Sequence, residues 1–218
     1  LSSQVDRTEP LYIYGPPRIR EYIEQTLRVL DIYINYEIIV HEFYDDVTVM
    51  EGEGYRVESL RVRHTKPCLG YKIVEEDRPG QFHPDQAIDA GVPRGRLWSD
   101  LQRGETVQLD DGTLVAPERV MGPPRPGRTF SFVTDTAAFQ GLAPFVAGSD
   151  LLICEGMFCA DLSDDASAKK HLTAQQAGQI ARSAGGVGRM GLIHYSPRYT
   201  ERDLRQLVTE ARAEFGES

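Results

Sequence analysis

The stretch Gly191-Leu192-Ile193-His194-Tyr195-Ser196-Pro197-Arg198-Tyr199 decides how the rest of the chain is read. An apolar run of strand type, residues 187–193, ends on a histidine. The next residues supply a hydroxyl, a proline that turns the chain, a guanidinium and a phenol. A strand edge holds an imidazole rigidly, and the loop leaving it can bring an arginine to a planar anion such as phosphate. The same residues are also compatible with a strand-end histidine satisfied by a backbone carbonyl and an Arg198 in a surface ion pair.

Working outward, two more strand-like runs end on polar groups. Residues 129–133 lead into Thr134-Asp135-Thr136, and residues 150–153 lead into Cys154-Glu155. A short helix over about 137–147 would complete a βαβ step between them. Upstream, residues 55–62 have a strand pattern, His64 follows them, and a turn leads into another strand near 70–73. Residues 11–14 form a short β run broken by Gly15-Pro16-Pro17, and 36–43 and 47–49 are strand-like. Ile19, Tyr22, Ile23, Leu27 and Leu30 recur at helical spacing and predict a helix over 18–31 with one buried stripe. Helices are also expected over 169–184, with His171 at its start, and over 200–215, with Leu204, Leu207, Val208 and Ala211 on one face. Residues 1–10 read as a connector.

The length of 218 residues allows one large domain, or a domain with an arm, and a real core. Charged residues make up 26% and hydrophobic ones 40%, with no apolar run long enough to cross a membrane and no signal-peptide pattern. A soluble α/β class and the cytoplasm are the expectations. Three cysteines without CxxC spacing suggest neither a disulfide framework nor a cysteine zinc site. A net charge of −9 excludes a general nucleic-acid coat but allows a local basic patch. Residues 75–128 are rich in Gly, Pro, Arg and Asp, with one short helix pattern at 84–90 and a hairpin signal at Asp110-Asp111-Gly112. They are expected to bury little and to form an arm within a single domain spanning 1–218.

His64, Asp135 and His194 thus stand at strand ends. Imidazole nitrogen and carboxylate oxygen are the ligand types of zinc or a similar ion in a hydrolytic site. Two ions bridged by a carboxylate clamp both the attacking and the leaving oxygen of a phosphodiester, and Asp135 is the natural bridge. His171 suits general-acid work through its near-neutral pKa, or is an N-terminal helix cap. Glu155 either orients a histidine or is a plain strand-end acid.

Several segments occur together in the order of a known family. They are Arg7-Thr-Glu-Pro-Leu-Tyr-Ile-Tyr-Gly-Pro-Pro17, His64 through Gly70-Tyr71, Pro123-Pro124 to Gly127-Arg128 before Asp135-Thr136, His171-Leu-Thr-Ala174, and His194-Tyr-Ser-Pro-Arg-Tyr199. On these the chain resembles ribonuclease Z, the metallo-β-lactamase-fold endonuclease that trims the 3′ trailer from precursor tRNA. The resemblance implies an αββα sandwich, N-terminally incomplete, with 75–128 as a protruding arm. It implies His64, Asp135 and His194 as metal ligands, His171 as a catalytic histidine with Glu155 behind it, and Ser196 and Arg198 near the substrate phosphate. Arg94 and Arg96, with Arg103, would offer the arm's positive surface to tRNA. Zinc, one or two ions in the complete enzyme, and precursor tRNA follow from the same resemblance, with no membrane partner. It leaves room for a homodimer and for a separate N-terminal half.

Four departures limit the carry-over. Thr134 replaces the glycine that usually precedes the aspartate, and the family's His-Glu-Ala-Thr-Phe reads Cys154-Glu155-Gly156-Met157-Phe158. The arm's Gly-Pro pair reads Gly95-Arg96. The His-x-His-x-Asp-His motif, which supplies four metal-binding side chains and the catalytic aspartate, is absent. Each ion would keep roughly two protein ligands, fewer than the three or four that hold catalytic zinc. Weak metal binding and little turnover by this chain are therefore expected, as for a truncated product or one half of a split enzyme. A non-catalytic module that keeps the fold to bind RNA or protein, and a hydrolase of a small ester or thioester, remain alternatives.

Overall fold

The computed structural model describes residues 7–216, so most of the connector expected at 1–10 lies outside them. The chain divides into two compact units: Glu75–Arg128, and the segments on either side of it.

The larger unit begins with β1 (Leu11–Gly15), α1 (Ile19–Val29) and β2 (Ile38–Glu42), in which β1 and β2 pair in parallel. The stripe expected to be buried on α1 is only partly covered by the described residues. Ile19, Ile23 and Leu27 are half-buried, while Tyr22 and Leu30 are 68% and 64% exposed. Helical spacing reveals that an apolar face exists, but not what covers it. Next come β3 (Thr48–Gly52), β4 (Tyr55–Arg61) and β5 (Leu69–Glu75), with β3 and β4 antiparallel across the Gly52–Gly54 turn.

Glu75–Arg128 contains α2 (Pro84–Asp89), α3 (Arg96–Gln102), β6 (Val107–Gln108) and β7 (Leu114–Val115), the last two a hairpin about Asp110-Asp111-Gly112. The expectation that this segment buries little is corrected. Ala87, Val92, Leu101, Val107, Val115 and Val120 form their own buried cluster, with Phe82 and Trp98 packed against it. These residues come from separate short pieces, so no local periodicity announces the core.

The chain then returns through β8 (Thr129–Val133), α4 (Leu142–Val146), β9 (Leu151–Glu155), α5 (Ser163–Lys169), α6 (Ala174–Ala184), β10 (Arg189–Ile193) and α7 (Glu201–Phe215). The six-stranded sheet has the order β10-β9-β8-β5-β4-β3. The pairs β8·β9 and β9·β10 are parallel, and β5·β8 is antiparallel. Val133, Cys154 and Leu192 lie in one row across the parallel strands, so the carboxyl ends of all three strands open at one edge. Ligand sites form at such edges because the loops there leave in different directions.

Val133, Leu152 and Cys154 of the sheet pack with Leu142 and Val146 of α4 and with Leu172, Ala177 and Ala181. Each buried leucine or valine contributes about 1.5–3 kcal/mol relative to exposure. Small residues on α6 let α7 lie close: a Cβ at Gly178 would sit 2.4 Å from the Ala211 carbonyl oxygen. That packing fixes the segment in front of α6, where His171 stands. No helix among the described residues is long and apolar enough to cross a membrane.

Candidate active site

The edge described above collects the residues that the sequence singles out. Asp135 lies two residues beyond Val133, Glu155 ends β9, His194 follows β10, and His64 follows β4. His194 Nδ1 is 3.2 Å from Asp135 Oδ1, and His64 Nε2 is 3.7 Å from Asp135 Oδ2. The two imidazoles therefore address different oxygens of one carboxylate instead of meeting at one point. That is the arrangement a bridging carboxylate needs. Asp135 is only partly exposed, and its Oδ1 accepts from the Thr134 hydroxyl at 2.7 Å.

The backbone is held in unusual conformations here. Asp135, Lys170 and His194 have φ of 36°, 58° and 55°. Residues without glycine's freedom sit in the left-handed region at a cost of roughly 1–2 kcal/mol each, and such strain gathers at functional sites. The turn at Lys170 aims its carbonyl at His64, whose Nδ1–H donates to it at 3.2 Å. With Nδ1 so engaged, Nε2 is the nitrogen that faces Asp135, and the Thr65 hydroxyl lies 3.2 Å from it. Thr136 ties the loops together. Its hydroxyl accepts from Arg63 N–H at 3.0 Å, and its N–H donates to Glu155 Oε1.

His171 is not the helix cap that its sequence position allows. Thr173 caps α6, with a reciprocal bond to the Gln176 side chain, and His171 is buried two residues earlier. Its Nδ1 lies 3.1 and 3.2 Å from the two Glu155 oxygens, so Nδ1–H donates to Glu155 and Nε2 stays available. The His171 ring centroid is 4.8 Å from that of His64 and 5.2 Å from that of His194. Burial pushes the Glu155 carboxyl up to about 7, against the N–H donors of Thr136 and Leu172 that favour its charged form. Burial, followed by the nearby His64 charge, lowers the pKa of His171.

Donor atoms of Glu155, His171 and His194 also fall within 4.8 Å of one another, which makes them a second possible metal group. Glu155 is the weaker ligand of the two carboxylates. It is fully buried, and its oxygens already accept from Thr136, Leu172 and His171. Asp135 is partly exposed, and its Oδ2 lies 3.7 Å from His64 Nε2 while Oδ1 is shared by Thr134 and His194, so the donor chemistry fits a hard or borderline divalent ion at Asp135. Among the described residues, each side of Asp135 offers one imidazole beside a carboxylate oxygen, and Glu155 Oε2 lies a further 3.9 Å from His194 Nδ1.

Ser196 is buried at 5% exposure, and Arg198 Nε–H donates to its hydroxyl at 3.2 Å. The loop is stitched to residue 157, since Ser196 N–H donates to the Met157 carbonyl. Arg94 and Arg96 belong to the separate unit Glu75–Arg128. The three arginines expected to form a positive surface there differ in their partners. Arg103 pairs with Asp100 and Glu105, Arg96 lies 4.0 Å from Asp100, and Arg94 stacks over Trp98. Phe158 and Lys169, which adjoin His171, are given no role by the sequence, because Phe158 closes the Cys154–Phe158 segment as an apolar residue and Lys169 reads as the first residue of a helix. A cavity of about 250 Å³ between β10 and α7, lined by Arg189, Met190 and Phe215 among others, includes none of these site residues.

No family model matches the chain. Among curated proteins it is 54% identical over 215 residues to ribonuclease Z of Treponema pallidum (strain Nichols), covering 99% of this chain and 69% of that one. It is 52% identical over 218 residues to ribonuclease Z of Treponema denticola, covering all of this chain and 70% of the relative. Among solved structures, human tRNase Z, short form, matches with a TM-score of 0.58 at 20% identity, over 88% of this chain and 64% of that one. The metallo-β-lactamase fold protein YhfI from Bacillus subtilis matches with a TM-score of 0.57 at 20% identity, over 95% and 60% of the two chains. These likenesses establish the metallo-β-lactamase fold, and with identities above half over nearly every residue, the chain belongs to the ribonuclease Z family.

Proposed function

We propose that this chain contributes the bridging carboxylate and the proton-transfer pair of a zinc-dependent endoribonuclease site that matures the 3′ end of precursor tRNA. The observation that carries the reading is Asp135, with His194 on one oxygen and His64 on the other. His64, Asp135 and His194 would hold zinc, which when bound supplies a polarised water and offsets charge on the phosphodiester. His171, fixed through Nδ1 by Glu155, presents Nε2 to the departing ribose oxygen; in its imidazolium form it carries a second proton on Nε2, gives that proton to the oxygen and returns to the neutral ring with Nδ1–H still donating to Glu155. Arg198, braced on Ser196, binds a phosphate oxygen. In Glu75–Arg128, Arg94 and Arg96 would carry more of any tRNA contact than Arg103, which pairs with Asp100 and Glu105.

The test is cleavage of precursor tRNA by residues 1–218 with zinc or manganese, alone and with the portion of the Treponema pallidum relative that this chain does not match. Little turnover alone and restored cleavage on addition is the expected result. His194→Ala should then abolish the restored activity. RNA binding without cleavage in either mixture would replace the enzymatic reading with that of a non-catalytic RNA-binding module.

A further inference from the structure

Phe158 is buried to 1% exposure, and its ring centroid lies 6.3 Å from that of His171. Two cations reach the same ring. The Arg198 guanidinium carbon is 5.3 Å from the Phe158 centroid, and Lys169 Nζ is 5.4 Å from it. They arrive from separate parts of the sequence: Arg198 from the loop after β10, and Lys169 as the last residue of α5. Lys169 is not free to wander. It pairs with Asp165 one helical turn earlier, at 3.2 Å, and the left-handed Lys170 then turns the chain directly into His171. The side chains of both Lys169 and Asp165 remain about half exposed, so the ammonium can exchange its partner for a ligand oxygen.

We propose that Lys169 and Arg198 form a two-cation cradle for a substrate phosphodiester, with Lys169 as a substrate-binding residue of the site; this rests on the ribonuclease reading. The planar guanidinium suits two oxygens of one phosphate, and the ammonium acts as a point charge on another or on the neighbouring phosphate. Asp165 holds Lys169 in place in the free protein and is released when the phosphate binds.

The experiment measures binding of a short fluorescent single-stranded oligoribonucleotide to residues 1–218 in EDTA, as a function of salt, for the parent chain and for Lys169→Gln, Lys169→Arg, Arg198→Gln and Asp165→Asn. One phosphate contact to a single strand contributes a slope of about 0.7 in log K against log salt, or roughly eightfold in affinity between ~1 M and ~0.05 M salt. Lys169→Gln should lower the slope by about that amount and weaken binding about eightfold at ~0.05 M, while Lys169→Arg keeps it. Asp165→Asn should tighten binding in the parent and have no effect beside Lys169→Gln. A slope unchanged by Lys169→Gln, with Arg198→Gln lowering it, overturns the cradle and leaves the ribonuclease reading standing. Binding that does not depend on salt in the parent chain overturns both. Should the glutamine variant fail to fold, the Asp165→Asn and Lys169→Arg arms decide the matter, since the cradle requires tighter binding in the first and a kept slope in the second.

Discussion

Replacing His194 by glycine should leave the protein more stable than replacing it by alanine, although both changes delete the same side chain. His194 has a φ of 55°, where an L-residue bears a steric cost of roughly 1–2 kcal/mol that glycine does not. The greater freedom of glycine in the unfolded chain returns about 0.4–1 kcal/mol of that difference. The lost contacts to Asp135 and Glu155 are common to the two variants and cancel. The expected net advantage of glycine is about 1 kcal/mol, or some ~2–4 °C in Tm for a chain of this size. The assay is thermal unfolding followed by circular dichroism in EDTA, with Ile193→Gly against Ile193→Ala as control. In the strand the order should reverse, because glycine costs about 0.5–1 kcal/mol there. Alanine equal to or better than glycine at position 194 would refute the left-handed geometry and the idea that this edge holds strain for the sake of its side chains.

Other outcomes follow from the same geometry. Lys170→Gly should raise Tm by a similar ~2–4 °C, since Lys170 holds a φ of 58° at the end of α5. Gly178→Ala should cost about 1–3 kcal/mol in urea unfolding, because its Cβ meets the Ala211 backbone and α6 must move off α7. In metal-free protein, Glu155 has a folded pKa of about 7 against an ordinary 4.5, so its contribution is complete below pH 4.5 and is lost as pH rises through 7. Burial lowers His171 instead, which opposes this by adding stability as pH rises through its ordinary 6.5. Denaturant midpoints between pH 4.5 and 7 should therefore fall more steeply in the parent than in Glu155→Gln, by at most about 3 kcal/mol. In the reconstituted mixture, His171→Ala should slow cleavage by about 100- to 10,000-fold while bound metal, measured by elemental analysis, is unchanged.

The sheet and its working edge are legible in the sequence because β8, β9 and β10 are short, predominantly apolar runs, each followed by a polar residue, and parallel strands put those closures on one side. The same logic locates Asp135 and His194, and His64 is found by its place after β4. The segment before α6 is not legible. Lys169, Lys170 and His171 continue a helical pattern in sequence, and the break comes from a left-handed turn at a lysine, where a glycine would have announced it. His171 therefore reads as a general acid or a cap at a helix start, when burial against Glu155 is what holds it. The core of Glu75–Arg128 is hidden for another reason. Val92, Val107, Val115 and Val120 lie in separate short pieces, and only the folded chain brings them together. The face of α1 shows the converse limit: its stripe is plain in the sequence, yet Tyr22 and Leu30 stay exposed among the described residues.

Zinc titration by calorimetry of residues 1–218, of Asp135→Asn and of Glu155→Gln tests the account most directly. A carboxylate shared by His64 and His194 predicts weak binding in the parent, with all of it lost in Asp135→Asn and most of it kept in Glu155→Gln. Binding that survives Asp135→Asn but disappears in Glu155→Gln would move the metal to Glu155, His171 and His194 and contradict the site as described.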